Sequence, residues 1–148
     1  MFVLGIDPGQ RGAIAVLSDS RTGVIFGMPQ TEKDICELLL DIKDKYSPIM
    51  CYIEDVHAMP KQGVSSTFKF GRNYGFLRGV LTALKIPFDG ISPVTWQRKI
   101  RFSSKGNKKL AKQKAQNLFP SIEGITDLTA DAVLIAYSCL LDVIKVKE

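Results

Sequence analysis

Apolar residues near the start of the chain come in short, continuous runs rather than at helical spacing. Three such runs, at Val3–Asp7, Ala13–Leu17 and Gly23–Met28, are separated by turn residues such as Pro8 and Gly9. A short apolar run bounded by turn residues is typical of a buried strand. Because short connections join antiparallel neighbours, the pattern predicts a three-stranded β-meander.

The spacing changes after residue 30. Thr31 and Asp34 form a T-x-x-D helix cap, and apolar residues then recur every three or four positions as far as Ile42. The remaining predicted elements are a strand at Ile49–Ile53 that ends at Glu54, a helix near Ser65–Leu84, a strand at Pro87–Ile91, a short helical turn from Ser92 through Trp96, a helix at Lys108–Leu118 and a final helix from about Thr129 to Val146.

A meander followed by alternating helices and strands predicts an α/β fold, with a mixed five-stranded sheet and helices on both faces. At 148 residues, we expect one domain, 1–148. The long helix carries Gly71, Gly75 and Gly79 at four-residue intervals. Glycine weakens a helix, so this stripe indicates either tight packing on the sheet or a helix–helix contact in a dimer.

The net charge of +5 is unevenly distributed. All fifteen acidic residues lie outside residues 90–122, while that segment contains Arg98, Lys99, Arg101, Lys105, Lys108, Lys109, Lys112 and Lys114. Such a segment is either a solvated basic face or a surface for a polyanion, and we favour nucleic acid. No apolar run approaches the ~18 residues of a membrane span, so no membrane partner is expected. The three widely spaced cysteines argue against disulfides and indicate a reducing cytoplasm.

Four carboxylates lie at the ends of predicted strands or at the start of the last predicted helix. Asp7 closes the first strand and Glu54 the fourth, while Asp127 and Asp131 lie four residues apart at the start of the last helix. A buried carboxylate costs several kcal/mol unless it has a partner.

Three of the four acids also have an ordinary explanation. Asp127 suits a helix cap, Asp7 can cap the turn that follows it, and Glu54 can pair with Arg72 or Lys61.

The joint explanation is stronger. If the first and fourth strands are neighbours, Asp7 and Glu54 project from adjacent strand ends, and the last helix can bring Asp131 against them. Carboxylates that lie this close together repel one another and raise one another's pKa. A hard divalent cation such as Mg²⁺ or Mn²⁺ relieves that repulsion. A pair of such ions performs phosphoryl transfer, so an acidic pocket beside a basic segment predicts a nuclease.

Three motifs carry a family resemblance: G-I-D-P-G at 5–9, Y-I-E-D-V at 52–56 and A-D-A-V-L-I-A at 130–136. With the helix segment S-T-F-K-F-G-R-N-Y-G, they make the chain similar to the RuvC family of Holliday-junction resolvases, most closely its phage-type members, within the ribonuclease H-like superfamily. The resemblance implies a Mg²⁺-dependent homodimer that makes paired nicks in branched DNA, with 5′-phosphate and 3′-hydroxyl ends. For a phage protein, the location is the host cytoplasm.

The resemblance also assigns residues. Asp7, Glu54 and Asp131 match the family's metal-binding acids. Cellular members place a fourth acid where this chain has Leu128, so Asp127, one residue earlier, is the candidate for that metal-binding and catalytic role.

Two further residues match family positions. Lys108 is similar in place to a functional lysine of the family, and we expect it to be catalytic. His57 stands where cellular members carry an aromatic residue, so it is either a base-stacking residue or an ordinary loop histidine.

Three other functions are compatible with parts of the sequence. The G-I-D-P-G turn is also similar to the phosphate-binding hairpin of actin-like ATPases, although that class normally needs two such domains. A non-catalytic DNA-binding protein would keep the basic segment but would not need all the acids. A related structure-selective or RNA-processing nuclease would keep both, because a fold does not determine the substrate.

Overall fold

A computed structural model describes residues 1–55 and 61–147 of the chain. Its elements are β1 (Phe2–Asp7), β2 (Ala13–Ser18), β3 (Gly23–Gly27), α1 (Glu32–Tyr46), β4 (Met50–Glu54), α2 (Val64–Ala83), β5 (Phe88–Ile91), α3 (Pro93–Lys99), α4 (Lys108–Leu118) and α5 (Ala130–Lys147). The predicted elements and the α/β class are confirmed. The short turn predicted after β5 is a seven-residue helix, α3, which extends beyond Trp96 to Lys99. In the described part of the chain, no helix is long and apolar enough to span a bilayer.

The five strands form one mixed sheet in the order β3-β2-β1-β4-β5. The first three are antiparallel neighbours, which confirms the meander. Strand β4 then pairs with β1 in parallel, and β5 pairs with β4 in parallel. Because parallel strands end at the same edge of a sheet, the pairing of β1 with β4 brings their last residues together.

Each face of the sheet is covered by its own hydrophobic cluster. Strand residues such as Leu4 and Ile6 pack with α1 and α2 on one face, while Val3 and its neighbours pack with α3, α4 and α5 on the other. Helix α5 lies unusually close to β1. A Cβ atom added to Gly5 would lie 2.3 Å from the backbone nitrogen of Ala136, so the absence of a side chain at Gly5 permits this contact.

The glycine stripe of α2 does not pack on the sheet, so that interpretation of the sequence is wrong. A Cβ added to Gly71, Gly75 or Gly79 would meet no described atom within 4 Å. The helix instead packs on the sheet through Leu77, Val80, Leu81 and their neighbours. At 3.6 residues per turn these apolar residues lie on the opposite side of the helix, so the glycines face outward.

Candidate active site

Two of the four carboxylates lie at the shared end of β1 and β4. The parallel register pairs Ile6 with Ile53, and the next residues along the two strands are Asp7 and Glu54. Side chains alternate along a strand, so Asp7 lies on the same face as Gly5, the face that α5 covers. The sequence prediction that these two acids come from adjacent strand ends is therefore confirmed in position.

Asp131 approaches the same edge from α5. It lies in the first turn of that helix, whose close contact with β1 at Gly5 holds its N-terminal end beside Asp7. The Asp131 side chain is only 19% exposed. Its Oδ2 atom accepts a hydrogen bond at 3.0 Å from Nζ of Lys108, the first residue of α4. The lysine that the family resemblance indicated thus contacts one of the three acids directly.

The three acids influence one another electrostatically. Burial, followed by the charges of Glu54 and Asp131, raises the pKa of Asp7 to about 8, while Lys108 opposes the shift. The pKa of Glu54 is also raised, first by burial and then by Asp131, against the opposing hydrogen bond from Trp96. A pKa this far from its usual range at a cleft is typical of a functional site.

Lys108 shows the reciprocal effect. Burial alone would lower the pKa of its ammonium group, but the hydrogen bond to Asp131 and the charges of Asp131, Asp7 and Glu54 outweigh burial and raise it. Lys108 is therefore held charged beside the acids and partly neutralises them.

The donor chemistry of these residues fits a hard divalent cation. Three carboxylates meet at one sheet edge, and their mutual repulsion is the situation that Mg²⁺ or Mn²⁺ relieves. Within residues 1–55 and 61–147, however, no three His, Cys, Asp or Glu side chains are close enough to hold one ion together. Two of the acids have other partners, since Asp131 pairs with Lys108 and Glu54 accepts a hydrogen bond from Trp96. Their role as metal ligands stays a prediction.

Asp127 lies apart from this group. It is exposed in the turn before α5 and lines a groove that Asp7 and Lys108 also line. The hydrogen bonds that close the turn involve the hydroxyl groups of Thr126 and Thr129. Among the described residues, none of these bonds comes from Asp127, so the cap interpretation gains no support, and a metal role also stays a prediction.

The remaining alternatives can be checked in part. Arg72 does not pair with Glu54 but with Glu32, at 2.9 Å. His57 lies outside the described residues, so its role stays a prediction.

The groove beside Asp7 has a volume of about 1010 Å³. Its walls are the turn between β1 and β2, the connection from β3 to α1, and α2. Four basic residues line it, namely Arg11, Lys69, Arg72 and Lys108. The predicted basic segment supplies a second positive surface, where Arg98, Arg101, Lys105 and Lys109 are exposed. Basic residues are thus present both in the groove beside Asp7 and on the exposed surface of the 90–122 segment.

Sequence reasoning missed two contacts that shape the site. Asn73 of α2 accepts a hydrogen bond at 2.7 Å from the backbone N–H of Gly9, whose φ of 108° makes the turn after Asp7 possible. Trp96 of α3 donates its indole Nε1–H to Oε2 of Glu54 at 2.7 Å. Both contacts join residues far apart in the chain. The only sequence signal was the Ser92-Pro93 cap, which placed Trp96 on a helix but gave no indication of its partner.

The architecture is similar to that of several solved Holliday junction resolvases. Thermus thermophilus RuvC, solved in complex with a Holliday junction substrate, matches with a TM-score of 0.71 at 17% identity, covering 98% of this chain and 96% of that one. The fowlpox virus resolvase, solved with substrate Holliday junction DNA, matches with a TM-score of 0.53 at 17% identity, covering 95% and 99%. The yeast mitochondrial Holliday junction resolvase Ydc2 matches with a TM-score of 0.52 at 17% identity, covering 92% and 76%.

No family model and no curated protein matches the sequence. At these identities the structural likeness shows the fold, and the chain has the ribonuclease H-like fold of the RuvC resolvases. The fold resemblance indicated by the sequence motifs is therefore confirmed.

Proposed function

We propose that the protein is an endodeoxyribonuclease that cleaves Holliday junctions and other branched DNA. The observation that carries the proposal is the meeting of Asp7, Glu54 and Asp131 at one sheet edge, in a fold whose structural neighbours are junction resolvases. The exposed basic residues of α3, α4 and their connection support contact with DNA phosphates.

The reaction is hydrolysis of a phosphodiester bond, giving 5′-phosphate and 3′-hydroxyl ends. Asp7, Glu54 and Asp131, with Asp127 as a fourth candidate, would hold two Mg²⁺ ions, and Mn²⁺ would substitute. When bound, these ions supply Lewis-acid activation of water and charge stabilisation at the leaving 3′ oxygen. Because the pKa of Asp7 is raised to about 8 in the metal-free protein, cation binding at neutral pH would displace the proton from this carboxyl group.

Lys108 has a separate role in this proposal. Its Nζ is 3.0 Å from Asp131 and carries a stabilised positive charge. Because Lys108 lines the groove beside Asp7, its ammonium group would contact the phosphate of a DNA strand bound there. Lys108 thus serves as an electrostatic catalyst rather than as a proton donor, because its raised pKa keeps the proton in place.

We further propose a homodimer, because a two-fold junction requires two nicks related by symmetry. The outward face of α2 supports this, since Val64 and Phe68 are 88% and 69% exposed beside the open glycine stripe. Phage-type membership and a location in the host cytoplasm belong to the same proposal.

The test compares nicking of end-labelled four-way, three-way and flap DNA with linear duplex DNA and RNA, all in Mg²⁺. The proposal expects paired nicks in the four-way junction and little cleavage of linear duplex. Preferential cleavage of structured RNA would instead identify an RNA-processing nuclease and would overturn the assignment of DNA junctions as substrate.

A further inference from the structure

We propose that Trp96 is a positioning residue that holds the Glu54 carboxylate in the orientation in which it binds a cation. The inference rests on the proposed function, because it assigns Glu54 a partner within that same site. Trp96 itself touches neither DNA nor a metal in this proposal. It acts through the orientation of Glu54.

The contact is short and sheltered. The indole Nε1 lies 2.7 Å from Oε2 of Glu54, and Trp96 is only 1% exposed. The indole N–H can donate a hydrogen bond but cannot accept one, and it does not ionise under ordinary conditions. It therefore favours one arrangement of the carboxylate, with Oε2 towards the ring and Oε1 available to coordinate a cation.

Helix α3 is fixed at both ends, which makes it a firm support for this bond. At its start, the Ser92 hydroxyl accepts a hydrogen bond at 3.1 Å from the backbone N–H of Thr95, and Pro93 occupies the first turn. At its end, Lys99 lies 3.0 Å from Asp142 of α5.

The ion pair between Lys99 and Asp142 is connected to β4, the strand that carries Glu54. Asp142 also accepts a hydrogen bond from the hydroxyl of Tyr52, which lies two residues before Glu54 on β4. Residues two apart in a strand share a face, so Tyr52 and Glu54 both point towards α3 and α5. Helix α3 is thus connected to one face of β4 directly, through the bond from Trp96 to Glu54, and indirectly, through Asp142 of α5.

Hydrogen bonds to a ligating carboxylate from residues behind it keep that ligand in place, and removing such a bond typically costs about 10–100-fold in metal affinity or activity.

The test compares Trp96→Phe with wild type and with Ile100→Ala. Ile100 is 6% exposed, follows α3 and packs in the same hydrophobic cluster, so its truncation loosens this packing and leaves the indole N–H intact.

Two quantities are measured for each protein: the Mg²⁺ concentration that gives half-maximal junction cleavage, and the Mg²⁺ concentration that gives half of the metal-induced rise in Tm without DNA. The proposal expects both to increase about 10–100-fold in Trp96→Phe and to stay within about threefold of wild type in Ile100→Ala. Equal shifts in the two variants would mean that Trp96 contributes only packing and would overturn the proposal.

A second replacement separates the N–H group from the shape of the ring. Benzothienylalanine at position 96 keeps the size of the indole but has sulfur in place of the N–H, so folding is preserved where Trp96→Phe fails to fold. It should show the same increase in Mg²⁺ requirement. An unchanged requirement would refute the role of the hydrogen bond.

The outcomes distinguish this inference from the proposed function. If wild type binds Mg²⁺ but cleaves no DNA, the proposed function fails while the Tm measurement still tests Trp96.

Because Trp96 is the only tryptophan, its fluorescence gives a further readout without DNA. Saturating Mg²⁺ should change the emission of wild type but not of Glu54→Gln, and an identical response in both proteins would contradict the coupling.

Discussion

Replacing Asp7 with asparagine should make the metal-free protein more stable at neutral pH. Burial and the neighbouring acids raise the pKa of Asp7 to about 8, from a usual value of 3.8. At neutral pH the Asp7 carboxyl group therefore keeps its proton in the folded protein, whereas the same group is ionised in the unfolded chain. The stability it contributes is complete below about pH 4 and is lost as the pH rises towards 8.

The magnitude follows from the linkage relation. Each pH unit between the two pKa values changes the free energy of unfolding by about 1.4 kcal/mol, so wild type loses about 3 kcal/mol between pH 5 and pH 7 through Asp7 alone. The amide side chain of the Asp7→Asn variant does not titrate, so the variant escapes this loss. In a chain of this size the difference corresponds to a change in Tm of roughly 10 °C.

The assay is urea unfolding of both proteins at pH 5, 6 and 7 in EDTA, followed by circular dichroism. Only the difference between the variants is interpreted, because other groups also titrate. Asp44→Asn serves as the matched control, since Asp44 is exposed on α1, and it should follow wild type. Parallel pH profiles for wild type and Asp7→Asn would refute the conclusion that the partly buried carboxyl group of Asp7 keeps its proton at neutral pH.

Further predictions concern packing, metal binding, catalysis and DNA contact. Gly5→Ala should lower the free energy of unfolding by at least ~2 kcal/mol, because its Cβ would lie 2.3 Å from a backbone atom of α5; urea unfolding within about 0.5 kcal/mol of wild type would contradict that contact. Mg²⁺ should raise the Tm of wild type at pH 7, and this rise should be absent in Asp131→Asn when both are measured by differential scanning fluorimetry. Lys108→Met should cut junction cleavage at least ~10-fold while junction binding in gel-shift assays stays within about threefold; unchanged cleavage would exclude a catalytic role. Removing the charges of Arg101 and Lys105 together should reduce the salt dependence of DNA binding by roughly one to two units of slope, and an unchanged slope would show that neither contacts phosphate.

The local sequence pattern was sufficient to predict the strands and helices, because their apolar spacing and caps are short-range signals. It also placed Asp7 and Glu54 at strand ends, and the parallel pairing of those strands then brought the two acids together. The glycine stripe of α2 shows where such reasoning fails. A stripe identifies one face of a helix, but only the apolar residues on the other face determined which side met the sheet.

The contacts that surround the acids could not be predicted. Trp96 and Glu54 are 42 residues apart, and Asn73 and Gly9 are 64 apart. Each bond depends on where α3 or α2 lies on the sheet and on a single side-chain rotamer, and neither is encoded in local spacing. The pairing of Lys108 with Asp131 is intermediate, since family resemblance indicated the residue but not its partner.

The most direct test of the central claim is cleavage of a four-way junction by wild type and Asp7→Asn in Mg²⁺, at protein concentrations that bind the junction equally. The proposed site predicts paired, symmetric nicks with 5′-phosphate ends for wild type. It predicts a loss of at least ~1000-fold in rate for Asp7→Asn, because the variant lacks one of the carboxylates that would hold the catalytic ions. Equal cleavage by the two proteins, or no cleavage of any branched DNA by wild type, would contradict the assignment.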